Sequence, residues 1–387
     1  MSSGEKIKRS LGHRDYGMYG YDLRYNTIMG AHDITLGYRS HRDYRDRHDS
    51  SVSEYYTLGS NNTMSMISSD YVTDGNGNDD YASAESFSII DRITHGNFVT
   101  TLGMRYEDVD YWEYNFENAG DYQTNSNSET MIAASTVYNM GNGASVFAAF
   151  SQGYMPSGNH GDETVKVTEP EESDTYEFGY RSIGANSQME IIGFFVDYEN
   201  LVELCNIASG CADSSQNARN AGEAHVEGIE FLYRVNNLVA APQMKGAAST
   251  GSGIRYPMTL AVTLQEAEHD ATTKSGTIVD GARIAYTPEK IYYVSLGAET
   301  NDWDMQISAK YNDEVFNKGS SDAQKTESAV IYDFRSGMNL DSMGLPGARA
   351  YLNVDNLFDK VYIASAHNYG FRANKPQTVM AGIALDF

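Results

Sequence analysis

Trp303-Asp-Met-Gln-Ile-Ser-Ala-Lys-Tyr311 decides the fold. Trp303, Met305, Ile307, Ala309 and Tyr311 fall in one phase; Asp304, Gln306, Ser308 and Lys310 fall in the other. Successive side chains of a strand point to opposite faces, so such a run puts a greasy face opposite a polar one. The pattern recurs along the chain. Leu102, Met104 and Tyr106 alternate with Gly103, Arg105 and Glu107. Tyr176, Phe178 and Tyr180 alternate with Glu177, Gly179 and Arg181. Val379, Ala381, Ile383, Leu385 and Phe387 alternate with Met380, Gly382, Ala384 and Asp386. No segment of ordinary length carries a helical period. About fifteen runs can be traced, each near the roughly 9–11 residues that a tilted membrane strand needs. They begin near Tyr16, Asp33, Ala84, Phe98, Thr130, Ala144, Thr175, Met189, Ala224, Pro257, Tyr292, Trp303, Ala329, Ala348 and Thr378. The Ala/Ser run after Thr130 fits either phase.

The connections separate a soluble β-protein from a membrane barrel. Long ones are expected at 43–81, 112–128, 154–173, 200–219, 266–282, 312–328 and 359–376. Short turns fall between them, as at 26–31, 95–97, 140–143, 182–187, 299–302 and 340–347. One connection on the short side, 236–255, is long and rich in Ala, Gly and Ser, and reads as an insertion. A sandwich has no reason to gather its long loops at one end. An outer-membrane barrel does, because one rim faces outward and the other the periplasm. Tyr and Trp gather at strand ends (Tyr19 and Tyr21, Tyr111 and Trp112, Tyr292 and Tyr293), as in an interfacial girdle. The expected fold is therefore all-β, an antiparallel transmembrane barrel wall with every long loop on one rim. Tyr176, Phe178, Leu102, Met104, Ile307, Ile383 and Leu385 should face lipid. The charges Arg39, Arg105, Arg181, Glu177, Glu230, Arg234 and Lys310 should face the lumen.

Composition agrees and excludes alternatives. The 387 residues include 53 acidic and 28 basic ones, a formal charge of -25, which leaves no basic face for nucleic acid. Two cysteines rule out a disulfide scaffold or a zinc ribbon. No run of about 18 apolar residues reads as a membrane helix, and the mean hydropathy of -0.49 is compatible with alternating strands. Residues 1–11, MSSGEKIKRSL, lack the apolar stretch of a secretory signal.

Six segments carry a family resemblance. Tyr351-Leu-Asn-Val-Asp-Asn-Leu-Phe-Asp-Lys-Val-Tyr362 resembles the penultimate strand of TonB-dependent outer-membrane receptors, and the strand ending at Phe387 resembles their terminal assembly signal. Glu169-Pro-Glu-Glu-Ser-Asp-Thr-Tyr-Glu-Phe-Gly-Tyr-Arg181 looks like the strand after their seventh outer loop. Asn220-Ala-Gly-Glu-Ala-His-Val-Glu-Gly-Ile-Glu230 looks like a later strand of the same family. Phe194-Phe-Val-Asp-Tyr-Glu-Asn-Leu201, followed by Cys205 and Cys211, is similar to the ferric citrate group, as is Ile363-Ala-Ser-Ala-His367.

The resemblance implies residues 1–387 as part of a receptor barrel, about fifteen strands of an expected twenty-two. The signal peptide, the plug domain with its TonB box, and the first strands are expected to be missing from this stretch. It implies TonB-dependent uptake of a ferric chelate, ferric citrate or a related siderophore, across the bacterial outer membrane. The implied partners are the TonB energy-transducing system, outer-membrane lipid and lipopolysaccharide. No covalently bound cofactor, metal site or enzymatic step is expected. A passive diffusion porin is the alternative; it closes its own barrel and lacks ligand-closing loops.

Candidate ligand contacts gather on the outer rim. In His41-Arg-Asp-Tyr-Arg-Asp-Arg-His-Asp49, Arg42, Arg45 and Arg47 are suited to an anionic chelate, because a guanidinium fork binds carboxylate bidentately. The competing reading is a solvated loop whose charges pair among themselves. His160 lies on the loop that in the family closes over ligand; Gln152, His367 and Arg372 complete the set. Cys205 and Cys211 are expected to form a disulfide in an oxidising compartment, stabilising by roughly 2 kcal/mol. Asp74, Asn76, Asn78 and Glu85 have a spacing like that of a calcium loop. The glycine such a loop needs for its sharp turn is replaced by Asp79, and a polar turn explains the segment.

Overall fold

The computed structural model describes residues 6–58, 64–72, 77–115, 121–157, 169–205, 217–220, 222–238, 253–270, 280–317, 325–367 and 370–385. The strands are β1 (Lys6–Met29), β2 (His32–Leu58), β3 (Met64–Val72), β4 (Gly77–His95), β5 (Phe98–Asn115), β6 (Asp121–Gly141) and β7 (Ala144–Met155). They continue with β8 (Glu171–Ile183), β9 (Ser187–Glu199), β10 (Val202–Cys205), β11 (Asn217–Asn220), β12 (Ala224–Val235) and β13 (Met258–His269). Then come β14 (Lys290–Glu299), β15 (Trp303–Asn312), β16 (Ala329–Asn339), β17 (Ala348–Asp355), β18 (Ile363–His367), β19 (Gly370–Ala373) and β20 (Thr378–Leu385). The main sheet runs β1-β2-β4-β5-β6-β7-β8-β9-β12-β13-β14-β15-β16-β17-β20, with β3 added to β2. Every register defined among the described residues is antiparallel.

The chain divides into two compact units. One comprises Met1–Asp91, Gly103–Ile132 and Tyr154–Pro170; the other comprises Arg92–Leu102, Ala133–Gly153 and Glu171–Phe387. In the first, β1 and β2 form a ladder from Met29↔His32 to Lys6↔Thr57, broken by one irregularity near Leu11 and His13. This corrects the loop expected at 43–81. The stretch His41–Asp49 is strand, β2 continues to Leu58, and β3 and the start of β4 occupy much of the remainder. Beyond the bilayer both faces of a strand are wet, so its apolar alternation disappears while the backbone ladder continues. The expected loop 112–128 is shortened from both sides for the same reason, by β5 and β6.

In the second unit, β8, β9, β12, β13, β14, β15, β16, β17 and β20 are close to membrane-spanning length, 8 to 13 residues. Two of its expected outer loops carry small separate hairpins, β10–β11 and β18–β19. The expected insertion at 236–255 lies mostly outside the described residues. Its foot is pinned where the Leu238 amide donates to the Tyr256 carbonyl at 3.0 Å.

The faces follow the alternation. Leu102, Met104, Tyr176, Ile307 and Leu385 are exposed, Phe178 is 67% exposed and Ile383 64%. The buried apolar residues are mostly small, such as Ala84, Ala224, Ala329, Ala348 and Val354. A water-soluble domain of this length buries its Leu, Ile and Phe, since each gains about 1.5–3 kcal/mol by leaving water. Here those side chains form the outward phase, which hydrocarbon must cover. The opposite phase carries paired charge: Arg105 with Glu107 at 2.9 Å, and Arg181 with its cross-strand neighbour Glu190 at 2.6 Å. Lys310 stands opposite Tyr293 and Ile331, away from Ile307. On the same side Phe194 covers Gly228, where an added methyl would collide with the ring. At the outer end the apolar phase itself turns polar. Glu227 and Glu266 pair across β12 and β13 two residues beyond Ile229↔Leu264, in the same phase.

Candidate ligand-binding face

The outer ends of β2, β4 and β5 place a polar cluster on the charged phase of the first unit. Asp80, only 7% exposed, is its hub. Arg45 forms an ion pair with it from β2. The Tyr111 hydroxyl donates to Asp80 Oδ1 at 3.1 Å from β5. Asn78 Nδ2 donates to Asp80 Oδ1 at 2.9 Å and to Glu113 Oε1 at 2.8 Å. These residues meet because three antiparallel strands share one register and the odd or even phase of each points inward. Burial, reinforced by the Asp80 and Glu113 charges, pushes the Tyr111 hydroxyl well above its ordinary range. It therefore stays protonated and acts as a donor. The cluster offers a guanidinium, a phenol and an amide beside two carboxylates, a set that binds polar, charged groups by hydrogen bonds.

Arg42 goes to the other face. Its guanidinium lies 5.1 Å from the Trp112 ring centroid, and Trp112 stacks on Tyr81 at 5.7 Å and 13°. Tyr81 in turn meets Tyr44 at 6.4 Å. Arg42 and Tyr44 share the phase of Leu36 and Tyr38, and Trp112 shares that of Met104 and Tyr106, so this stack belongs to the outward, aromatic rim. The structure thus separates two arginines that the sequence groups together. The Arg47 side chain lies outside the described residues; its backbone pairs with Arg14.

Other candidates are distributed as follows. Asn125 Nδ2 donates to the Ser157 carbonyl at 2.8 Å and to Ser157 Oγ at 2.9 Å, and Ser157 Oγ donates to Asn127 Oδ1 at 3.0 Å. This anchors the start of the segment on which His160 lies; His160 itself is outside the described residues. In the second unit Gln152 Nε2 donates to Asp174 Oδ1 at 3.1 Å. Arg372 is exposed on β19, opposite Ser365, and His367 ends β18 opposite Gly370, its side chain outside the described residues. Cys205 closes β10, and Cys211 with any bridge between them lies outside the described residues.

The calcium spacing does not assemble. Asn78 turns to Asp80 and Glu113 on one face, while Glu85 accepts from the Tyr38 hydroxyl at 3.3 Å on the other; Asp74 and Asn76 are outside the described residues. Residues an odd number of steps apart in one strand cannot converge on an ion. Among the described residues no group of three or more His, Cys, Asp and Glu is placed to hold a metal. Asp80, Tyr111 and Glu113 are not visible as site residues in the sequence, and Asn78 is visible only as part of the calcium-like spacing. The one signal was Tyr111 and Trp112 side by side at a strand end, which reads as girdle and turned out to serve both faces.

Residues 3–357 match the family described as TonB dependent receptor-like, beta-barrel. The ferrioxamine B receptor of Salmonella typhimurium (strain SL1344) is 23% identical over 361 residues, 89% of this chain and 47% of that protein. The ferrichrome outer membrane transporter/phage receptor of Escherichia coli (strain K12) is 22% identical over 305 residues, 77% of this chain and 37% of that protein. The chain thus spans about half the length, or less, of these curated relatives. A crystal structure of the ferric citrate transporter FecA in the unliganded form superposes with a TM-score of 0.71 at 16% identity, covering 99% of this chain and 56% of that one.

Proposed function

Because the chain belongs to the TonB dependent receptor-like, beta-barrel family, we propose that it forms ligand-binding wall and outer loops of a receptor for TonB-driven uptake of a ferric chelate. Proteins of this family reside in the outer membrane of Gram-negative bacteria, so the apolar phase faces lipid and the charged phase the lumen. The observation that carries the reading is the lumen-side cluster of Arg45, Asp80 and Tyr111 at the outer strand ends, where an entering ligand arrives first. A carboxylate-bearing chelate such as ferric citrate fits it through Arg45, whose guanidinium carries five N–H donors in a fork that matches carboxylate oxygens. The resemblance around Phe194–Leu201 supports the same ligand class. The whole receptor would engage the TonB system through parts outside this stretch. The outward Arg42–Trp112–Tyr81 stack would meet lipid and lipopolysaccharide headgroups, with the arginine toward phosphate.

Titration of the purified full receptor with ferric citrate, followed by tryptophan fluorescence, tests the reading. Saturable binding that iron-free citrate does not match, with iron uptake that stops when TonB is inactivated, is the expected result. No saturable binding of any ferric chelate, together with permeation of small sugars into liposomes, would replace it with a passive porin.

A further inference from the structure

The last outer connection holds a hairpin that its own strands cannot hold. Among the described residues β18 and β19 form a separate two-stranded sheet that does not pair with the main sheet, and their register covers Ile363↔Ala373, Ser365↔Arg372, Ala366↔Phe371 and His367↔Gly370. An isolated hairpin of that size is marginal in water. Its base ties it to the wall.

The base is cross-braced by two asparagine amides. Asn356, 3% exposed and in the left-handed region at φ 50°, donates from Nδ2 to the Lys360 carbonyl at 2.9 Å and to the Lys375 carbonyl at 3.0 Å. Asn374 Nδ2 donates to the same two carbonyls, at 2.8 and 3.0 Å. The amide oxygens are used as well. Asn356 Oδ1 accepts from the Lys360 N–H at 2.9 Å, and Asn374 Oδ1 from the Tyr362 N–H at 2.9 Å. Lys360 and Lys375 stand on the two opposite legs of the hairpin, so each amide bridges both legs. Gln377 adds a third tie, donating from Nε2 to the Leu357 carbonyl at 2.7 Å. The brace is itself bolted to the wall: the Asn356 N–H donates to Asp333 Oδ1 at 2.8 Å, and the Leu357 N–H to the Tyr332 carbonyl at 2.6 Å, both on β16.

We propose that Asn356 and Asn374 are positioning residues which hold the β18–β19 hairpin, with the exposed Arg372, as a preset arm for the ligand rather than as a lid that closes on it. The proposal deepens the receptor reading and rests on it only for the ligand; the rigidity of the arm stands apart. Each amide makes three hydrogen bonds, with both Nδ2 donors and the oxygen used, so rotating the hairpin breaks several bonds at once. Asparagine is required at 356 because an aspartate of the same shape would turn an acceptor oxygen toward two carbonyl oxygens.

The test uses the full receptor in detergent. Asn356→Asp and Asn374→Ala are compared with the unaltered protein by backbone hydrogen exchange and by ferric citrate titration. Asn374 lies nearer solvent, so its variant keeps the test open if Asn356→Asp fails to assemble. Both variants should speed exchange of the amides in 363–373 by about tenfold, a shift matching the loss of one or two hydrogen bonds, and should weaken ferric citrate binding. Exchange in β16 and β17 should stay unchanged, and in the unaltered protein ligand should leave exchange of the arm within twofold. Unchanged exchange in the variants, or an arm that becomes strongly protected only when ligand binds, overturns the proposal. An unaltered receptor that binds no ferric chelate, with faster exchange in the variants, leaves the brace standing and removes the receptor reading instead.

Discussion

The outer ends of β2, β4 and β5 and the outer connection between β17 and β20 hold polar segments above the membrane by opposite means. In the first region the strands simply continue. β2 runs for 27 residues and β1 for 24, and the backbone ladder carries the chain past the bilayer. In the second the strands stop at 8 residues each, and side-chain amides take over. A continuing ladder sorts side chains by parity alone, so neighbours such as Arg42 and Arg45 serve lipid rim and lumen respectively. An amide brace instead depends on particular atoms meeting, and a single substitution undoes it. The first arrangement tolerates sequence change; the second does not.

The largest effect in the ladder region is expected at the one place where it relies on a side chain. Asp80→Ala removes the carboxylate that the Arg45 guanidinium and the Tyr111 hydroxyl bind, and should cost about 2 kcal/mol in the local opening of β4 and β5. Hydrogen exchange across 78–113 measures it. No change there would mean that the backbone ladder alone holds this region. Ser157→Ala should cost about 1 kcal/mol, seen as faster exchange at 153–157, because Asn125 keeps its bond to the Ser157 carbonyl and loses the hydroxyl. An effect as large as that of Asp80→Ala would show that a brace of the second kind exists in the first region too.

Arginine substitutions test parity. Arg45→Ala should weaken ferric citrate binding by about tenfold, as expected for loss of a charged hydrogen bond, and Arg42→Ala by less than about twofold with a stability change within about 0.5 kcal/mol. Equal effects would place both on one face. The smallest effect concerns the neighbours Met104 and Arg105. Single cysteines at the two positions should leave folding intact and differ only in labelling. Met104→Cys should be quenched by a lipid-borne probe and Arg105→Cys by an aqueous one, the reverse meaning a register shifted by one residue.

Much of the wall was legible beforehand. The expected starts at Phe98, Ala144, Ala224, Trp303, Ala329, Ala348 and Thr378 coincide with β5, β7, β12, β15, β16, β17 and β20. These strands have one face in lipid and one toward water, so their hydrophobicity has a period of two. The outer half of β2 reads as a loop in the sequence because its charged residues carry no such contrast. Arg45 was legible as a candidate ligand contact from its chemistry, and its partner was not. Asp80 sits in a polar stretch that resembles any turn, and its importance comes from strands paired beside it.

The alternation of apolar and polar residues, with the short turns between the runs, by itself determined that this chain forms antiparallel strands with one apolar and one polar face, and which residues lie on each. Those properties are local, since a face is fixed by parity within one strand. The tertiary structure alone decided that Asp80 joins Arg45 to Tyr111, that Arg42 stacks on Trp112, and that Asn356 and Asn374 grip the same two carbonyls. Each of these needs atoms from separate strands or legs brought within about 3–5 Å, and only the register between them sets that distance.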